Sequence, residues 1–187
     1  MTVERWIDLR CHPSTRGETV RAIAVLVRRL DSGELQMTFR LDGDISRIQI
    51  SPTTAPRFAT QLWHHTCLEA FIAVERQPAY HEFNFAPSGE WAVYAFRGYR
   101  DGGPVANDTM RPNIVLRSTE RQLELDALVR LDTLSAIHRS AVLRIGLSAV
   151  IEASDGFSYW ALGHPADKPD FHNADGFALV LEPPRAE

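Results

Sequence analysis

The sequence holds a single lysine, Lys168, two cysteines, Cys11 and Cys67, and no long apolar run near its start. Each shortage excludes something. Two thiols cannot make the multi-bridge framework of a small secreted domain, and they are expected to stay reduced. Residues 1–18 are polar and charged, and the stretch Ala22–Val27 is far too short to span a bilayer. Neither a targeting segment nor a membrane span is read here, so the expected location is the cytoplasm. A net charge of −4 supplies no basic face for a nucleic acid. The near-exclusive use of arginine is a compositional bias with no functional content.

Catalytic signatures are missing as well. There is no CxxC or HExxH pattern for zinc and no GxSxG nucleophile elbow. Gly102-Gly103 has no helix after it, so it makes no phosphate cradle.

What is present is a single-domain composition: 187 residues, 44% hydrophobic and 24% charged. The apolar period is two almost everywhere. Leu35, Met37, Phe39 and Leu41 alternate with Glu34, Gln36, Thr38 and Arg40, and Asp31-Ser32-Gly33 reads as the turn from Val20–Leu30. Short strands are expected at 47–50, 67–74, 80–85, 91–96, 114–117, 123–129, 142–152, 157–162 and 177–181, with one helical turn at 132–138. Residues 67–97 read as a three-strand meander. About eleven short strands with regular turns predict an antiparallel β-sandwich, jelly-roll-like, filling one domain over 1–187.

Three segments are dense in chemically useful side chains. In Leu62–Phe71, Glu69 must point away from the face that carries Leu68, Ala70 and Ile72. In Tyr80–Phe85, Tyr80, Glu82 and Asn84 share the face opposite Phe83 and Phe85. On adjacent strands, Glu69, Glu82 and Asn84 would lie on one surface. The third segment runs from Ser158 through Trp160 and His164 to Lys168, Asp170 and His172. Sugar recognition needs aromatic faces beside carboxylate, amide and guanidinium groups. Trp63, Trp91, Trp160, Glu69, Glu82, Asn84 and Arg97 supply that set. The same tryptophans could be core packing, and the same glutamates could be solvated.

Other chemistries find less support. His64 and His65 precede Glu69, and His164 and His172 flank Asp170, but neither set has metal-ligand spacing. Glu69 with Glu82 is the one pair that a glycosidase could use. Cys67 at a strand start reads as a small buried residue.

Three stretches, LWHHTCLEAFI (62–72), YHEFNFAPSGEWAVYAF (80–96) and GLSAVIEASDGFSYWALGHPADKPDFHNADGF (146–177), resemble the DOMON-like domain family, bacterial proteins related to family-9 carbohydrate-binding modules. The resemblance implies a β-sandwich whose pocket binds a sugar or haem, and a binding module, not an enzyme. It puts Glu69 where sugar-binding relatives keep an acidic residue, and Asn84 and Trp160 fall in matched segments. Two departures stand out. Such relatives are exported, whereas this chain shows no signal segment. Haem binding would use a methionine with a histidine or lysine, and Met1, Met37 and Met110 are the only methionines.

The expected ligand contacts are therefore Trp63, Glu69, Glu82, Asn84, Arg97, Trp160, His164, Lys168 and His172. The expected partner is a small molecule of sugar type, bound by a monomer or weak dimer without a cofactor, nucleic acid or membrane. A haem or metal site, or a sandwich face that recruits another protein, are the alternatives.

Overall fold

The computed structural model describes residues 6–15 and 17–184. Strict alternation of side chains builds thirteen strands there: β1 (Trp6–Cys11), β2 (Val20–Arg29), β3 (Glu34–Gly43), β4 (Arg57–Phe58), β5 (Cys67–Val74), β6 (Tyr80–Phe85), β7 (Glu90–Phe96), β8 (Gly102–Pro104), β9 (Asn113–Ser118), β10 (Gln122–Arg130), β11 (Leu143–Ala153), β12 (Gly156–Ala161) and β13 (Leu179–Leu181).

The strands form one curled sheet in the order β4-β7-β6-β5-β11-β12-β1-β2-β3-β10-β9, with β13 on β11 and β8 on β7. β1 is the fold line. Trp6–Leu9 pair with β2, and Arg10–Cys11 pair with β12, so one strand serves both layers. All pairings are antiparallel except the short β4–β7 contact. The two layers close over one core in which Phe39 of β3 meets Phe85 of β6, ring centroids 6.3 Å apart. The chain is thus an all-β sandwich, and 67–97 is the expected meander β5-β6-β7.

The two layers differ in their outer faces, and that difference positions the site. In β3 and β10 every second residue is buried, and the intervening ones carry half-buried ion pairs such as Arg40–Glu124. This is the ordinary sheet with one dry and one wet face. In β5 all eight residues are buried. Leu68, Ala70, Ile72 and Val74 face the core, so something else covers Cys67, Glu69, Phe71 and Ala73. Residues 58–62 help to cover Cys67, and two segments, 97–104 and 163–177, cross the outer face beyond it.

Several details differ from the sequence reading. β1 was not expected, because its mixed sequence WIDLRC buries only Leu9 fully. At 45–50 there is a 3-10 turn, Ile45–Arg47, and a single bridge from Ile48 to Ala153. Ser46 Oγ donates to Asp44 Oδ1 at 2.6 Å, a local bond that competes with strand pairing. The helical turn expected at 132–138 is two 3-10 turns, Leu131–Thr133 and Ala136–Arg139.

Candidate functional site

Three ladder rows on the outer face of the second layer set out the site. In the first, Asn84 of β6, Glu69 of β5 and Ser148 of β11 stand side by side. In the next, Tyr94 of β7, Glu82 of β6, Phe71 of β5 and Gly146 of β11 follow one another. On the other side, Cys67 pairs with Val150, and Val150 with Tyr159 of β12. Antiparallel pairing brings such neighbours to about 5 Å, so polar groups in one row can bond to each other.

In the first row Ser148 Oγ donates to Glu69 Oε2 at 3.0 Å, and the other polar groups bond across rows. Asn84 Nδ2 donates to Glu82 Oε1 at 2.6 Å, and Cys67 Sγ donates to Asn84 Oδ1 at 3.2 Å. The thiol contact fixes the Asn84 amide with its N–H side toward Glu82. Glu69 is 2% exposed, Glu82 4% and Asn84 0%. These are buried carboxyls, not solvated ones.

Above them lies a cavity of about 660 Å³, within the usual range for small-molecule sites. Glu69, Glu82 and Val150 form its floor. Trp63, Tyr94 and Phe96 line one side, and Phe157 and Tyr159 the other. Segment 169–172 crosses between them: Phe171 lies against Tyr159, and His172 against Phe71 and Phe96. Phe177 anchors this crossing. Its ring stacks on Phe71 and lies where a Cβ on Gly146 would approach Cδ1 to 2.6 Å, so the close contact requires glycine.

Asp170 clasps the two covering segments. Its Oδ1 accepts from Arg100 Nη2 at 2.8 Å and from the His172 amide at 3.2 Å, and its Oδ2 accepts from the Tyr99 hydroxyl at 2.7 Å. Burial alone would raise this carboxyl, but the bonds from Tyr99 and Arg100 outweigh it and hold it below its ordinary range.

The electrostatics follow from burial without counter-ions. Burial pushes Glu69 well above the carboxylate range and the charge of Glu82 adds to it, against the Ser148 bond. Burial raises Glu82 to about 7, against the Asn84 bond and the Arg100 charge. The two titrate as one unit, and near neutrality they share protons. Burial and both glutamates push the Cys67 thiol up, so it stays a donor and is no nucleophile. Burial, then the charge of Arg100, lowers His172 to about 4, so its ring is neutral.

The structure brings together five of the nine residues expected from sequence: Trp63, Glu69, Glu82 and His172 line the cavity, and Asn84 lies directly beneath it. The other four stand elsewhere. Trp160 faces the core, its indole N–H donating to Ser158 Oγ at 3.0 Å, and Trp91 is a core residue too. Arg97 is exposed and pairs with Asp101. His164 bonds to the Arg10 carbonyl at 2.8 Å and packs on His12. Lys168 is exposed outside the cavity lining. Sequence reasoning missed Arg100, Tyr94, Phe96, Tyr159 and Phe171. Tyr94 and Phe96 were open to it, since they alternate with Val93 in β7.

Groups that the haem and metal readings relied on are occupied with packing or other bonds. Met37 is fully buried in the core, Met110 packs there too, and Met1 lies outside the described residues. His65 bonds to Glu152 at 2.7 Å, away from His64. Among the described residues no three metal-ligating side chains converge.

No family model and no curated protein matches the sequence. Solved structures do match in fold. A candidate carbohydrate-binding protein from Bacteroides uniformis superimposes with a TM-score of 0.68 at 10% identity, covering 92% of this chain and 84% of that one. A family-9 carbohydrate-binding module from Caldicellulosiruptor kristjanssonii, solved with glucose, gives 0.58 at 10% identity, over 98% of this chain and 86% of that one. Its complex with cellotriose gives 0.58 at 11% identity, over 98% and 85%.

Proposed function

We propose that this chain is a non-catalytic binding module for a sugar, held in the cavity above Glu69 and Glu82. The observation that carries this reading is the row Asn84–Glu69–Ser148 with Glu82 beside it: buried polar groups, bonded as Ser148–Glu69 and Asn84–Glu82, at the floor of an aromatic-walled cavity. Carboxyls accept from sugar hydroxyls, and the faces of Trp63, Tyr94 and Phe96 suit the C–H face of a pyranose. The likeness in fold to modules that hold glucose and cellotriose supports the same class of ligand. The three sequence stretches that resemble the DOMON-like family support membership of that group, since all three supply the floor and the third also supplies His172.

Catalysis is not part of the proposal. Cys67 is a buried donor, and His172 is neutral with Nδ1 held by the Tyr80 hydroxyl. Calorimetric titration with glucose and cellotriose tests the reading. Saturable binding that Glu82→Gln or Trp63→Ala weakens at least tenfold, with the fold intact, supports it. No heat at millimolar sugar, together with no shift of the unfolding midpoint, refutes it.

A further inference from the structure

The floor of the cavity carries two carboxyls and no cation of its own. Among the described residues Arg100 is the one permanently charged basic side chain on the lining, and its guanidinium is already held by Asp170 at 2.8 Å. His172 cannot supply the charge either. The Arg100 amide donates to the Tyr80 hydroxyl at 3.1 Å, so that hydroxyl donates onward to His172 Nδ1 at 2.8 Å. The ring is thereby set as the neutral tautomer with its proton on Nε2, which faces Glu82 Oε2 at 3.6 Å, beyond hydrogen-bond length. Glu69 Oε1 accepts no hydrogen bond among the described residues, although the residue is 98% removed from solvent by its 2% exposure. The oxygen is not sealed from solvent, and on a buried residue that lines the cavity it is placed to meet a ligand donor.

From this arrangement we infer that the ligand is an amino sugar or similar polyhydroxylated amine, whose ammonium group sits between Glu69 and Glu82. The inference rests on the reading of the cavity as a sugar site and narrows it. An ammonium brings three donors and the missing positive charge, and it matches the open oxygens of the two carboxyls. The walls fit as well: the aromatic faces of Trp63, Tyr94 and Phe96 attract a cation in a desolvated site. A metal ion fits poorly, because calcium wants six or more oxygens. Here Asn84 turns its N–H side to Glu82, with its oxygen taken up by Cys67.

A proton signature follows. Without ligand the buried pair retains protons near neutrality; an ammonium between the carboxyls favours their ionised forms, so binding expels protons. The titratable groups facing the pair are Cys67 from β5, Tyr80 and Tyr94 from β6 and β7, Tyr159 from β12, His64 from the turn before β5, and Arg100 and His172 from the covering segments. The carboxyl pair is placed to release protons on meeting a cation, and the release that Glu82→Gln removes is its share.

The experiment is calorimetric titration of the full chain with glucosamine, glucose and N-acetylglucosamine at pH 6 and pH 7, in phosphate and in a zwitterionic sulfonate buffer. The expected result is glucosamine bound at least tenfold more tightly than glucose or N-acetylglucosamine. Its affinity should rise from pH 6 to pH 7, and its enthalpy should depend on buffer as proton release requires. Glu82→Gln, verified as folded by its unfolding transition, should remove the preference, its glucosamine affinity falling at least tenfold further than its glucose affinity. Glucose bound as tightly as glucosamine, with no proton release, would overturn the amine and leave the sugar reading standing. Failure of all three sugars to bind would overturn both.

Discussion

Tyr80 Oη lies 2.8 Å from His172 Nδ1 while it accepts the Arg100 amide at 3.1 Å, so one phenol ties β6 to both segments that cover the cavity. Tyr80→Phe keeps the ring contacts with Phe96 and Phe177 but removes both bonds. A net loss of about 1–2 kcal/mol in unfolding free energy is expected, since a hydrogen bond contributes about 1 kcal/mol and an orphaned donor adds to the cost. His172 also loses the group that selects its tautomer. Nitrogen NMR of the imidazole should show the proton on Nε2 in the parent and a mixture of tautomers in the variant. An unchanged tautomer would mean that the phenol does not govern the ring.

Glu82 gives a stability profile with a definite sign. Its folded pKa of about 7 lies above the ordinary 4.5, so between those values the folded state keeps a proton that the unfolded chain releases. Its contribution to stability is therefore full below pH 4.5 and is lost as pH rises toward 7. Glu82→Gln cannot lose it. Urea unfolding should find the variant equal to the parent near pH 4.5 and more stable by roughly 1–3 kcal/mol at pH 7.5. His172, lowered to about 4, acts in the opposite sense as pH falls, but it is present in both proteins and largely cancels. A difference that stays flat from pH 4.5 to 7.5 would show that the carboxyl is not buried as described.

Much of this floor was legible in the sequence because alternation fixes faces. Once Leu68 and Phe83 are assigned to the core, Glu69, Glu82 and Asn84 must share the other side. Alternation does not reveal whether that side is wet. The cover comes from residues about 90 positions further on, and no local pattern announces that 169–172 will cross above β5. Arg100 was missed for the same reason: it leaves the strand period, and its place is set by Asp170. Trp160 was a different case. The loop Ser154-Asp155 joins Ala153 to Gly156, and counting outward from it pairs Ala149 with Trp160. Ala149 was already on the core face, so the hairpin register puts Trp160 in the core and Tyr159 at the cavity.

That register yields a contrast between two tryptophans. Trp160 is 6% exposed within the core, and Trp160→Ala should cost about 3–5 kcal/mol of stability, as large-to-small core changes do. Trp63 is 36% exposed beside the cavity, against Tyr94 at 5.5 Å, so Trp63→Ala should cost only about 1 kcal/mol. Its effect should fall on binding instead, with glucose affinity reduced at least tenfold. Paired denaturation and titration of both variants separate the roles. Equal losses of stability would contradict the placement of the two rings.

Gly146 tests the link between the floor and its cover. A methyl added there meets Phe177 Cδ1 at 2.6 Å and Phe71 Cβ at 3.2 Å, and both rings are buried and stacked. Neither can retreat cheaply: Phe71 shares its row with Glu82, and the Phe177 carbonyl accepts from Arg144 Nε at 3.0 Å. Gly146→Ala should therefore destabilise by about 1–3 kcal/mol, the usual cost of overpacking. The backbone at this position is ordinary strand, so the loss is steric and not conformational. Displacing Phe177 also loosens 169–172, which predicts faster amide exchange at His172 and weaker sugar binding in the same variant. A change in stability below about 0.5 kcal/mol, with exchange at His172 unaltered, would show that Phe177 does not anchor the cover.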